Sequence, residues 1–251
     1  MRVRDIYGFI DKNAPFSTAA EWDNSGLLVG DFSNEVKKVM VCLDVTMDAI
    51  EFAKNNGADL LISHHPVIFK PMASFVNGNI AYEAAINGIS IICAHTNLDK
   101  SVGGVNDTLC DALGLDYVKQ PFDIVEGFLN TAELTEPMSA EVLARLVAEK
   151  LGTTVDFCDA DSLISKVAVC SGSGADFISD AKALGCDGFI TGEASYHKFL
   201  DAKASGVSLF AAGHFETEVI IVKKLVQMLR NEFCDIDICE YTVSSITKLV
   251  K

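Results

Sequence analysis

The stretch LLISHHPVIFKP, Leu60 to Pro71, begins as an apolar strand and ends in two adjacent histidines and a proline. A strand points successive side chains to opposite faces, so His64 and His65 on a continuing strand would serve different points. Pro66 restricts His65 to extended geometry and removes a backbone donor one residue later. The strand is therefore expected to stop at the histidines, leaving the pair at its carboxyl end with the two rings diverging. Diverging rings can reach two neighbouring ions, or one ring can be a ligand while the other supports it.

Outward from this stretch, apolar β-rich runs alternate with helical patterns. The strand candidates are 36–45, 58–63, 89–95, 166–170, 186–192 and 207–213. Between them lie TMDAIEFAKNN, NIAYEAAING, GVNDTLCDALG and GADFISDAKALG, helix-like segments that mostly close in Gly or Asn as helix C-caps do. Such alternation predicts βαβ units and mainly parallel sheets flanked by helices. The middle reads differently: EGFLNTAELTEPM is β-like, and a helix opens at Ser139 with Glu141 close behind. The expected fold is α/β, with two interlocked lobes and a metal cleft between them. Residues 1–123 with 213–251 form the first lobe, which carries most of the metal ligands, and 124–212 form the second, inserted lobe. The final helix, EVIIVKKLVQMLRNE, returns the chain to the first lobe.

Composition narrows the function. Hydrophobic residues make up 49% of the 251 and charged residues 22%, an ordinary globular balance. A net charge of −15 argues against a nucleic-acid footprint, which needs a basic face to displace counterions. No window approaches the ~18 apolar residues of a membrane span, and the first residues lack a secretory pattern. A cytoplasmic protein with no membrane partner is expected. The eight cysteines include no CxxC pair; Cys42, Cys93 and Cys170 sit in apolar runs and read as reduced core thiols.

Open α/β sheets bind ligands at the carboxyl ends of their strands. Four of the five histidines fall there: His64 and His65 after LLIS, His95 after ISIICA, and His214 after SLFAAG. His197, in SYHKFLDAK, reads instead as a solvent-facing or packing residue. If a helix begins at His214, then Glu218 shares its face while Glu216 points away. In AHTNLDK a turn would fold Asp99 back towards the sheet edge. His64, His65, Asp99, His214 and Glu218 thus supply three neutral nitrogens and two carboxylates. That is more than one ion with an open position needs, and two ions sharing a carboxylate use the set naturally.

HHPVIFKP, HTNLD with GGVND, and GHFETE together resemble the hexameric dinuclear-metal family of GTP cyclohydrolase 1 type 2 homologues, the Nif-three-like family. EWDNSGLLVGD, LDVT and VCSGSGADFISDAKALGCDGFITGE resemble further signatures of that family, so the resemblance spans the chain. It implies that the adjacent histidines bind different metals and that His64, His65, Asp99, His214 and Glu218 are ligands. Glu218 is then the bridge, with Asp99 also close enough to bridge, and His95 matches a site-lining histidine. A homohexamer is implied as well.

The expected function is metal-dependent hydrolysis with two divalent ions per subunit. Mixed imidazole and carboxylate ligation suits Zn, Fe, Mn, Co or Ni. The family name points to GTP, with opening of the purine imidazole ring and loss of formate. His95 is the first candidate for moving protons, and Lys70 and Lys100 are candidates for meeting the triphosphate. Alternatives are a metal-dependent phosphoesterase, a cyclic-amide hydrolase, or a non-catalytic metal-binding ring that docks a protein. No GxGxxG or P-loop is present, so no organic cofactor is expected. SGSGAD is either a phosphate-binding turn or an ordinary tight one; DNSGLLVGD could line the metal cleft through Asp23 or Asn24, but Asn-Ser-Gly is ordinary turn chemistry, and neither is counted among the catalytic residues.

Overall fold

A computed structural model describes residues 1–120 and 122–243. Its strands, in chain order, are β1 (Gly26–Val29), β2 (Lys38–Cys42), β3 (Leu60–Ser63), β4 (Ser90–Cys93), β5 (Tyr117–Lys119), β6 (Asn130–Met138), β7 (Asp156–Cys158), β8 (Ile164–Cys170), β9 (Gly188–Thr191), β10 (Ser208–Ala211) and β11 (Asp237–Tyr241). All six strand candidates of the sequence reading are present; five are shorter than expected by two to five residues in all, and β8 starts two residues earlier than its candidate.

The first unit contains Met1–Ser101 and the described residues from Ile221 onward. Its sheet has the order β1-β4-β3-β2-β11. β4, β3, β2 and β11 run parallel, and β1 alone is antiparallel, paired with β4. Every residue of β3 and β4 is buried, as expected for a parallel sheet covered on both faces. Met40, Cys42, Leu61 and Ile91 pack with Ala49, Ile50, Ala53, Ala81 and Ala84 from the helices Met47–Asn55 and Ile80–Ile86. Those helices start where a side chain caps them: Thr46 accepts from the Ala49 N–H at 3.1 Å and Asn79 from the Tyr82 N–H at 2.9 Å.

The second unit contains Val102–Ile220. Its sheet, in the order β5-β6-β8-β9-β10-β7, is mixed: β8, β9 and β10 are parallel, while β5, β6 and β7 join by antiparallel pairing. The expectation of mainly parallel sheets therefore holds for the first sheet and not for the second. The antiparallel strands carry polar and exposed residues at many positions, β6 reading NTAELTEPM, and so lack the apolar runs that mark parallel strands. Along β8 to β10 the period of two is clear. Val167, Val169, Ile190 and Phe210 face the helices Val105–Leu113 and Ala140–Leu151, whereas Ala168, Cys170, Phe189 and Leu209 face Ile178, Ala181 and Ala202.

The unit bounds also differ from those expected. Residues 102–120 and 213–220 belong to the second unit: Leu109, Cys110 and Leu113 pack with Leu143, Val147 and Val167. An amphipathic helix does not encode which of two sheets it covers, so its assignment was open to error. Residues 244–251 and Pro121, which the sequence reading joined to the first lobe, lie outside the described residues. No helix among the described residues is long and apolar enough to cross a membrane.

Candidate metal centre

Three imidazoles gather at the carboxyl edge of the first sheet. His64 and His65 follow β3, and His95 follows β4, the parallel neighbour of β3. Their ring centroids are 5.0 Å apart for His64–His65, 5.2 Å for His64–His95 and 5.7 Å for His65–His95. Each offers one ring nitrogen, and the three nitrogens lie within 4.8 Å of one another.

The rings diverge less than an extended strand would require. The His64 N–H donates to the Cys42 carbonyl at 3.3 Å and the His65 N–H to that of Leu43 at 3.0 Å. Successive residues of a regular strand donate to opposite neighbours, so two consecutive bonds to one neighbour mark a rotation of the backbone. The Ser63 hydroxyl donates to the His65 carbonyl at 2.8 Å and draws the chain round. Both rings thereby reach the same sheet edge.

Hydrogen bonds fix the ring tautomers. His64 Nδ1 lies 2.9 Å from the Ala94 carbonyl, which can only accept, so this nitrogen carries the proton. His65 Nδ1 lies 2.7 Å from Asp44 Oδ1, and His95 Nδ1 lies 2.8 Å from Asp23 Oδ1. In each neutral ring the Nε2 lone pair is left as the ligand atom. Asp23 is held firmly in this role: it also accepts from the Thr96 hydroxyl at 2.6 Å and the Ser25 hydroxyl at 2.9 Å. Burial would raise its pKa, but the bonds from His95, Thr96 and Ser25 outweigh it and hold the carboxyl well below the usual range.

Asp99 lies on a helix rather than in the expected turn. Thr96–Lys100 is helical, with the Asp99 N–H donating to the His95 carbonyl at 3.0 Å. The buried carboxylate places Oδ1 3.5 Å from His64 Nε2. With Nδ1 protonated, a lone pair faces a carboxylate away from water. A cation, either a second ring proton or a metal ion, makes that approach favourable.

The second sheet carries a matching arrangement at the carboxyl ends of β9 and β10. His214 and Glu218 lie one turn apart on the helix His214–Glu218, with Nε2 3.0 Å from Glu218 Oε2. Nδ1 lies 3.2 Å from Glu193 Oε1. The Glu193 carboxyl is lowered first by the Ser173 hydroxyl and, against partial burial, also by His214. Glu216 is not part of this pair; its side chain lies against Gly213. Gly172, at φ +58°, lies so close that a Cβ there would collide with Glu218 Oε1 and sit 3.3 Å from His214 Nε2.

In SGSGAD three of the six backbone N–H groups are already used within the protein. The Ser171, Gly172 and Gly174 N–H groups already donate to Asn106 Oδ1, Thr217 Oγ1 and Thr191 Oγ1 at 2.7, 3.2 and 3.0 Å. They are committed to the protein, not to a phosphate.

Of the remaining candidates, Lys70 is exposed and Lys100 is buried, which removes Lys100 as a surface contact for a triphosphate. His197 is exposed on the helix Tyr196–Ser205, 3.0 Å from the Ser195 hydroxyl. The cysteines are all free. Burial pushes the Cys93 thiol up, and it donates to the His64 carbonyl at 3.1 Å, so it supports the site without ligating. The sequence reading left out the three orienting carboxylates Asp23, Asp44 and Glu193. Asp44 lies near the carboxyl end of the strand candidate 36–45 and Glu193 directly follows the candidate 186–192, positions that were available as a signal.

The histidine and carboxylate groupings could hold a metal ion, because nitrogen and carboxylate donors are offered together. The chain belongs to the Duf34/NIF3 (NGG1p interacting factor 3) family, whose model matches residues 1–248. It is 34% identical to a GTP cyclohydrolase 1 type 2 homolog of Clostridium perfringens over 258 residues, covering 99% of this chain and 98% of the relative. It is 32% identical over 222 residues to the GTP cyclohydrolase 1 type 2 of Helicobacter pylori strain J99, with 86% of each chain covered. A crystal structure of a hypothetical protein from Staphylococcus aureus matches with a TM-score of 0.88 at 29% identity, over 100% of this chain and 99% of the other.

Proposed function

We propose, with membership of this family as the premise, that the chain is a metal-dependent hydrolase holding two divalent ions among His64, His65, Asp99, His214 and Glu218. The observation that carries the reading is the repeated orientation of the imidazoles. In His64, His65, His95 and His214, Nδ1 is directed to an oxygen acceptor, which leaves Nε2 for a ligand or a proton. One structural histidine with such a bond is unremarkable; four at the carboxyl ends of strands, with two buried carboxylates facing Nε2, form a donor set.

Divalent ions in such a set, when bound, lower the pKa of water and polarise a substrate oxygen. The chain supplies the remainder. Glu218 is buried and one helical turn from His214, a placement that suits a carboxylate shared by two ions. Asp23, kept ionised, orients the His95 ring through Nδ1, and in this reading His95 moves protons at Nε2.

The substrate reading follows the names of the relatives: GTP, hydrolysed at the purine imidazole ring with release of formate. We place the protein in the cytoplasm as a homohexamer. The test is formate release from GTP by protein of measured metal content. We expect release that disappears on stripping the metal and in His64→Ala, and that is reduced but not abolished in Lys70→Ala. Turnover unaffected by stripping would overturn the mechanism, whereas no turnover by loaded protein would overturn GTP as substrate.

A further inference from the structure

Beside His95 stands an aromatic pair that the metal reading does not use. Trp22 is 63% exposed and Phe69 48% exposed, although side chains of this size usually contribute most when buried. Their centroids are 6.0 Å apart and the planes are tilted by 58°, so the rings do not cover one another by stacking. Each stands nearly perpendicular to the His95 imidazole, Trp22 at 6.3 Å and 78°, Phe69 at 6.5 Å and 82°.

The segments that carry the pair are tied to each other and to the site. Asn24 Nδ2 donates to the Ile68 carbonyl at 2.6 Å, joining the residues after Trp22 to those before Phe69. Asp23, the next residue after Trp22, is the carboxylate that orients His95. The patch is narrow in sequence, flanked by the exposed charged residues Glu21 and Lys70.

We infer that Trp22 and Phe69 form a stacking subsite for a planar heteroaromatic ring, of the size of a nucleobase, presented to the histidine cluster. The inference rests on the hydrolase reading and names its substrate class. A ring laid parallel to the indole would stand nearly perpendicular to the His95 imidazole, as the indole itself does, and within reach of the histidine cluster. An aliphatic substrate gains little from an aromatic face, whereas every nucleobase has a π-face to stack. Phosphates contribute at most through Lys70, because the chain carries a net charge of −15.

Trp22 is the single tryptophan of the chain, so its fluorescence reports this position alone. Titration of metal-stripped protein with guanosine, with ribose 5-phosphate and with inorganic triphosphate tests the subsite separately from metal binding and turnover. Saturable quenching by guanosine, with little response to the other two, is expected. Phe69→Ala should weaken the guanosine response and Trp22→Ala should weaken guanosine binding by equilibrium dialysis, each by about fivefold to a hundredfold. Circular dichroism of both variants checks that they are folded. Quenching by triphosphate but not guanosine, no response to guanosine, or a signal that changes only with protein concentration would each overturn the subsite. A metal content of two ions per chain alongside such a result would leave the metal reading intact, while guanosine quenching in a protein that holds no metal would separate the two the other way.

Discussion

At the scale of single residues, the account turns on small groups held in one orientation. Asp23 does not face the ligand atoms; it fixes the His95 ring through Nδ1. Asp23→Asn keeps the shape but replaces an anion with an amide, and outer partners of this kind typically change metal affinity or activity by about 10–100-fold. We expect a loss of that size in activity with metal content little changed, and a lower melting temperature because the bonds from Thr96 and Ser25 to the carboxylate are also lost; turnover, metal titration and a melting curve check the three. Gly172 is a second such point. Gly172→Ala adds a Cβ against the Glu218 carboxylate at a positive φ, and we expect it to displace Glu218 and to lower both metal content and stability, the latter by about 1–3 kcal/mol. Normal metal content in this variant would contradict the role given to Glu218. The proposed ligands, histidines and carboxylates alike, stood out as candidates in the sequence because each follows an apolar run. Their orienting partners were harder to see, because the bond from Asp23 to His95 joins residues far apart in sequence.

At the scale of elements, pairing and packing decide what a local pattern becomes. β3, with four buried residues in a row, was plain as a strand, and Ser139 marked the start of a helix that its side chain caps. The helix Val3–Asn13 and the strand β11 were not anticipated. The helix buries a stripe of only Val3, Ile6 and Ile10 among charged residues, and β11 is half-exposed at the edge of its sheet. The helix Val105–Leu113 shows the limit most clearly: its amphipathic face was readable, but its sheet was not. It is anchored by Asp107, which is buried and pairs with Lys119 at 2.8 Å while accepting from Asn130 at 2.9 Å. Burial opposes ionisation of Asp107, but Lys119, Asn130 and the Gly103 N–H together lower its pKa. A lowered carboxyl pKa contributes stability that is present above the unfolded value, about 4, and is lost as pH falls through the folded value. Asp107→Asn should therefore destabilise the protein by about 1–3 kcal/mol at neutral pH, leaving Lys119 without its carboxylate. Its stability should also change less with pH below about 4 than that of the parent. Chemical denaturation at pH 7 and across the acid range checks both signs.

At the scale of the whole molecule, two sheets each raise histidine and carboxylate donors at the carboxyl ends of parallel strands. Between His64 and Glu218 the chain builds most of a second unit and then returns to the first sheet through the helix Ile220–Glu232 and β11. This explains why the ligand residues are spread along the sequence while the motifs around them are short. Assembly belongs to this scale too: a chain of 27.0 kDa that forms the proposed hexamer should scatter light as a particle near six times that mass, and a monomer at all concentrations would exclude it. The central claim is the metal pair, and metal stoichiometry tests it most directly. Elemental analysis of folded protein, loaded and then freed of loose metal, should give two divalent ions per chain. Glu218→Ala should lose more metal than Asp99→Ala, because a shared carboxylate serves both ions and its loss leaves two cations close together. Two ions per chain in the parent and a large loss in Glu218→Ala is the predicted result; full occupancy in Glu218→Ala, or no retained metal in folded parent protein, would contradict it.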